Sequence, residues 1–312
     1  MKAIILLSAF LFVHSITHAQ KIETYYDYNW KICELPNARF YSVIEPADSE
    51  WQRKDYYLRE RMLQMKGLYK DKDCKIKNGF FTFYHTNGRP SSLGLYTDNK
   101  KQGLWLYYHN NGMMRDSTVY DNDKPVGTGL GWFPNGSMSD SNVYNPDGTA
   151  VKVNWFDNGQ LSSAGREVNN KQNGKWLYYN RNGKLSATEV YDLGKIISRV
   201  YYSEDGAALS DTADRDREAV CKKNFIAYLS NNLYFPPNIK ITNGDKAMVL
   251  VNFTIDEEGK VVDAYVSSSF HPIIDQAALD VIRNSPQWIP AIDHNRLVKA
   301  YRRQPLTFLQ EQ

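Results

Sequence analysis

Tyr107-Tyr108-His109-Asn110-Asn111-Gly112 is one of six versions of a single signature, and its recurrence decides the fold of most of the chain. Before it stands Phe83-Tyr84-His85-Thr86-Asn87-Gly88. After it come Trp132-Phe133-Pro134-Asn135-Gly136, Trp155-Phe156-Asp157-Asn158-Gly159, Tyr178-Tyr179-Asn180-Arg181-Asn182-Gly183 and Tyr201-Tyr202-Ser203-Glu204-Asp205-Gly206. The closing glycines fall at 88, 112, 136, 159, 183 and 206, in steps of 24, 24, 23, 24 and 23 residues. A constant step of that size marks a repeat architecture. Asn-Gly or Asp-Gly supplies the positive φ that a tight hairpin turn demands, and the paired aromatics before it begin one packed face. A second strand then ends in Tyr96, Tyr120, Tyr144 or Tyr191, and Gly103-Leu104-Trp105 or Gly174-Lys175-Trp176 opens the next unit. One such hairpin cannot bury its aromatic face alone, so stacked neighbours must share a continuous stripe.

Working outward, Gly67-Leu68-Tyr69 repeats the second strand, so a partial unit starts near Tyr56 and the array spans 56–206. Units three and four have a turn one residue shorter, and unit four lacks a clean Gly-x-Trp opening. In residues 20–55, Tyr25, Tyr26, Tyr28 and Trp30 suggest a strand, while Pro36 and Pro46 break the run. That segment reads as an irregular cap over the first repeat. Residues 1–19 read as a secretory signal: Lys2, the apolar stretch Ile4 to Val13, and Thr17-His18-Ala19 before Gln20. Ten apolar residues are half of the ~20 a spanning helix needs, and a retained anchor is the alternative to cleavage.

The formal charge of +3 in 312 residues is close to balanced and gives no argument for a nucleic-acid partner or an anionic membrane surface, so no nucleic acid is expected. With 22 Tyr, 13 Phe and 7 Trp the composition favours many short strands over helical bundles. Export permits a disulfide, and of Cys33, Cys74 and Cys221 the first two are the natural pair because both precede the array; three unpaired buried thiols are the alternative.

Beyond a polar linker at 207–216 the patterning changes. Cys221, Phe225 and Leu229 recur at helical spacing, with Asp214 or Asp216 available as a cap and Pro236-Pro237 as a stop. Val249, Val251, Phe253 and Ile255 alternate with polar residues up to the turn Asp256-Glu257-Glu258-Gly259, and Val261 to Val266 return. Pro272 opens a second helix with Ile274, Ala277, Ala278, Val281 and Ile282 on one stripe. Pro286 ends it, Trp288 can seal it, and Val298 to Leu309 is a last strand. Residues 217–312 thus read α-β-β-α-β, and the whole chain as an α+β protein: an elongated antiparallel hairpin sheet followed by a small domain.

This ordered motif set resembles the C-terminal domain of the TonB family, and the aromatic repeats resemble the bacterial variant of the MORN repeat. The TonB resemblance implies a periplasmic protein. Its last strand would receive an extended peptide of an outer-membrane TonB-dependent receptor, or of another envelope protein, by strand addition. Carried over, the pairing strand is Lys299, Ala300, Tyr301, Arg302 and Arg303. The signature positions are Tyr234, Pro236, Pro286, Trp288 and Pro290, with Phe235 inserted between the first two. Arg302 and Arg303 would meet an acidic peptide or merely solubilise an edge. Neither a membrane span beyond the signal nor a Pro-rich spacer is seen, so a self-sufficient energy transducer is not expected. The rival expectation is an envelope scaffold whose repeat sheet makes the main contact.

Catalysis is not expected. His85, His109, His271 and His294 are scattered, and no nucleophile elbow, zinc-helix motif or phosphate loop occurs. Asp71-Lys72-Asp73 and Asp121-Asn122-Asp123 resemble fragments of calcium loops but read as solvated turn acids. No cofactor or metal is implied.

Overall fold

The computed structural model describes residues 21–310, apart from 28, 36–37, 212 and 241–245. The proposed signal at 1–19 lies outside the described residues. From β1 (Ile22–Tyr26) to β15 (Lys195–Tyr201) the chain forms one fifteen-stranded antiparallel sheet in which every strand pairs with its sequence neighbours.

The hairpins differ at the two rims of the sheet. At the rim carrying the Asn-Gly signatures, His85 and Arg89 close a loop in which the Gly88 amide donates to the His85 carbonyl at 2.9 Å, and only the glycine takes positive φ, +80°. The preceding Asn87 instead folds its side chain back to accept from the Arg89 amide. The pairing slips one residue there, between Phe83 and Tyr84, so these are bulged loops rather than two-residue turns. The two-residue turns lie at the opposite rim, where Asp98-Asn99, Asn122-Asp123 and Asn169-Asn170 all hold positive φ. Asp and Asn tolerate that region because their short side chains bond locally, as Asn122 does in donating to the Asp121 carboxylate. Asp71 likewise accepts from the Lys75 and Ile76 amides, so these turn acids serve their own loops.

The buried face carries Phe81, Trp105 and Trp176, each at most 4 % exposed. Each ring lies over a glycine of the preceding strand; a Cβ built on Gly67, Gly94 or Gly165 would come within 2.3 Å of it. Tyr69, Phe81, Tyr96 and Trp105 follow one another edge-to-face at 4.9–5.2 Å, an arrangement the ring quadrupoles favour. The signature turns are also laced together. His85 Nε2 lies 3.1 Å from the Tyr108 carbonyl and His109 Nε2 2.7 Å from that of Trp132, so both histidines tie one repeat to the next.

The irregular cap expected at 20–55 is corrected. It contributes β1, β2 (Phe40–Ala47) and β3 (Glu50–Tyr57) to the same sheet. Pro46 sits inside β2, where the β1 ladder has already ended at Ile44, so its missing N–H faces no second neighbour. All three cysteines are unpaired, so the Cys33–Cys74 disulfide is not formed.

The C-terminal part is α+β. β17 (Lys246–Ile255) is the middle of a three-stranded antiparallel sheet between β18 (Val261–Ser268) and β22 (Ala300–Leu309). Val249, Val251, Phe253 and Ile255 meet Ile274, Ala278 and Ile282 of α2 (Pro272–Arg283) together with Leu306, Phe308 and Trp288 in one buried core. The first helix is shorter than its periodicity suggested. α1 spans Phe225–Asn232 and is capped by Asn224, whose side chain accepts from the Ala227 amide. Asp214 and Asp216 are not its caps. Residues 217–222 run extended instead, because their amides and carbonyls are taken by 287–292: Arg217 with Ile292, and β16 (Val220–Cys221) with β19 (Trp288–Ile289).

Candidate functional site

β22 is the longer of the two edge strands of this domain, the other being β18. All ten of its residues pair with β17 on one side, from Lys246 opposite Leu309 to Ile255 opposite Ala300, while its other side has no strand. The strand is long and continuous because its even-numbered residues feed the core, with Leu306 and Phe308 each 2 % exposed, while Tyr301 and Leu309 point out at 78 % and 58 %.

The expected site residues fall into different roles. Tyr301 and Arg303 are exposed on β22 and Ala300 is half-buried at its start. Arg302 turns inward: its guanidinium donates to the Ala219 carbonyl at 2.5 Å and lies 3.4 Å from Glu218. Lys299 precedes the strand, and its ammonium lies 3.2 Å from Asp157 of the repeat sheet. Tyr234 is 72 % exposed in the segment after α1, whereas Pro236 beside it is buried. Trp288 is buried with its ring 4.9 Å from that of Phe225, its indole N–H donating to Ser285. Pro286 and Pro290 frame it, their carbonyls accepting from Cys221 and Arg217.

A second arrangement was not anticipated from the sequence. The hairpin of β20 (Ala291–Asp293) and β21 (Arg296–Val298) turns at His294-Asn295, both at positive φ, and inserts into the last repeats. Arg296 donates through one terminal nitrogen to the Ser162 and Tyr179 carbonyls, both at 2.6 Å, with its guanidinium over the Phe156 and Tyr178 rings. Asn295 donates to the Ser186 and Tyr202 carbonyls. His294 stacks on Tyr178 at 3.5 Å, and its Nδ1–H donates to Glu189 at 3.0 Å.

Glu189 is fully buried, receives a hydrogen bond from Tyr191 and lies 3.8 Å from Arg199. Burial acts to raise its pKa, but the bonds from His294 and Tyr191 and the nearby charges hold it below the ordinary 4.5. Asp157 is also held low, by Arg181 first and then Lys299. The sequence did carry one signal: Glu189 stands 24 residues after Gly165, where the register places a glycine under a ring. Asp216, Asp293 and His294 have ligand-type atoms within 4.8 Å of one another, but Asp216 already accepts from the His294 amide and the imidazole is shared between Glu189 and Asp293.

Fold and edge together define a repeat-sheet protein ending in a small α+β domain whose three-stranded sheet has β18 and β22 as open edges. Residues 232–309 match the family model of the Gram-negative bacterial TonB protein C-terminal, so the chain carries a domain of that family. The match is confined to that segment, and for it supports the TonB-type role of a periplasmic domain family. A comparison with curated proteins found no match. Among the described residues no helix is long and apolar enough to cross a membrane.

Proposed function

We propose that the C-terminal domain binds an extended peptide of an outer-membrane TonB-dependent receptor, or of another envelope partner, by adding it as a fourth strand along β22, and so contributes to TonB-dependent transport from the periplasm. The observation that carries this reading is the ten-residue strand paired on one side only. An unpaired edge of that length presents a row of free amides and carbonyls, and main-chain pairing supplies affinity with little demand on sequence. Tyr301 and Arg303 flank that edge as exposed contacts, while Arg302, held by Ala219 and Glu218, contributes rigidity instead. Pro305 limits the length over which a guest strand finds donors.

Backbone amide exchange on the full-length chain tests the idea. With saturating peptides from receptor N-termini, slowed exchange should be confined to β22 and the guest. Protection along β18 instead, or no binding across the panel, would sink it.

The scaffold reading keeps one observation of its own. Phe80 and Leu95 face each other across one strand pair, Leu104 and Val119 across another, and Val143 and Val151 across a third, all more than a third exposed. In that reading the MORN-like sheet makes the main partner contact. Partner recovery by crosslinking would then survive loss of the β22 contact.

A further inference from the structure

Between the first strands of the repeat sheet and the helix-free face of the C-terminal sheet lies a crevice of about 560 Å³. That is the size of a small-molecule site, and such sites favour domain boundaries. It shares Arg303 of β22 with the proposed peptide edge, but its other polar residues lie on β17, on β18 and on the repeat sheet, and the inference does not require that edge to accept a peptide. The repeat sheet contributes Trp30, Arg39 and Phe40; the C-terminal sheet contributes Asn252, Ser267 and Arg303.

Three features distinguish this crevice from a packing defect. Trp30 holds φ at +61°, a conformation that is an outlier for a bulky residue, and so stores backbone strain. Its indole lies flat on Phe40, with centroids 4.2 Å apart and planes within 8°, and the tilted Tyr26 ring stands 5.6 Å away, yet the residue remains 38 % exposed. Two polar atoms are buried without partners, one on each wall. Arg39, 6 % exposed, spends its terminal nitrogens on Glu60 but leaves Nε without an acceptor, and Asn252 leaves Oδ1 without a donor. Orphaned buried groups of this kind cost about 1–3 kcal/mol each unless something satisfies them. The lining also includes two arginines and no carboxylate. Arg39 is neutralised by Glu60, whereas Arg303 makes no ion pair among the described residues.

The shape of the demand identifies the ligand class. An open indole face wants an apolar ring face, the amides and hydroxyls of the rim want hydroxyls, and Arg303 wants an anion. An extended peptide fits poorly, because β17 is the middle strand and has spent its backbone groups on both neighbours, so only its side chains reach the crevice. We propose that the crevice binds a carboxylate-bearing saccharide, one sugar ring lying on the exposed part of the Trp30 indole and its carboxylate on Arg303.

The test uses the full-length chain and two probes, a tetrasaccharide alternating N-acetylglucosamine with glucuronate and the uncharged N-acetylglucosamine tetramer. Calorimetry should show the uronate oligomer binding, with Arg303→Gln weakening it about tenfold or more while barely changing the uncharged oligomer. Trp30→Ala should abolish both. Since Trp30 packs on Phe40 its loss could unsettle the fold, so Arg303→Gln, at an exposed position, carries the decision, and circular dichroism and melting accompany both variants. No binding of the uronate oligomer, or equal binding by wild type and Arg303→Gln, would each overturn the assignment.

Discussion

Gly165 shows how a single residue sets the geometry of the repeat. Its φ is unremarkable, so the glycine is not required by the backbone; it is required by the Trp176 ring, which lies 2.2 Å from where a Cβ would be. Gly165→Ala should therefore destabilise the sheet by about 1–3 kcal/mol through overpacking, read as a shift in the denaturant midpoint with unchanged slope. Gly159 is the opposite case: it has open space around it but φ of +80°, so alanine there is penalised by backbone strain alone. Cysteine chemistry also belongs to this scale. Burial pushes the Cys74 thiol up to about 11, so at pH 8 it stays protonated and should react with a thiol reagent far more slowly than in the denatured chain. Rapid native labelling of Cys74 would contradict its packing against the first aromatic cluster.

At the scale of elements, the two-period alternation and the turn glycines made the array legible, as did the apolar stripes of β17 and α2. Short-range pattern has limits, which three elements expose. The reading carried the helix back toward Asp214, because Cys221, Phe225 and Leu229 keep helical spacing even though residues 217–222 are extended; partners 65–75 positions away decide that segment. Pro46 looked like a breaker because its tolerance depends on where a neighbouring strand ends. Asn-Gly in the sequence points to the tight turns, whereas the paired positive φ angles of the two-residue turns fall on Asp and Asn. In the site, the last strand is legible in the sequence and its choice as the pairing edge follows from the family resemblance, whereas the inserted hairpin is not legible, because its partners lie 93–134 residues earlier.

The pH behaviour of that hairpin follows from its partners. Glu189 and Asp157 have folded pKa values below their ordinary 4.5 and 3.8, so each contributes stability present above those values and lost as pH falls through the lowered ones. Asp55, between Ser42 and Arg53, goes the other way. Burial raises it above 3.8, so its ionisation costs stability as pH rises, and acid relieves that end of the sheet. Acidification from about pH 5 to about pH 3 should thus loosen the last repeats before the first. Residue-resolved exchange would show this as amides of β14 (Leu185–Asp192) losing protection ahead of those of β3; the reverse order would refute it.

At the scale of the molecule, the same hairpin joins the two parts mechanically. β21 ends at Val298 and β22 begins at Ala300, and the single residue between them, Lys299, is itself held by Asp157. Any pull on a peptide added along β22 therefore reaches the repeat sheet through Lys299 and Arg296 rather than through the exposed segment around 207–216. Arg296 is the member to remove, because two sheet carbonyls and two aromatic rings converge on it, and burial already lowers its pKa. Arg296→Ala should shift the docking equilibrium about tenfold or more, since hydrogen bonds to a charged group contribute about 1.5–3 kcal/mol. In the full-length chain that would appear as a larger radius in solution scattering and faster proteolysis near 207–216, with the circular dichroism of both parts retained. Arg296→Lys keeps the charge and a donor nitrogen but has no planar guanidinium to lie over the Phe156 and Tyr178 rings, so it should restore docking only in part. Full restoration by lysine would mean that charge alone holds the hairpin, and an unchanged radius in the alanine variant would mean that the hairpin does not carry the junction.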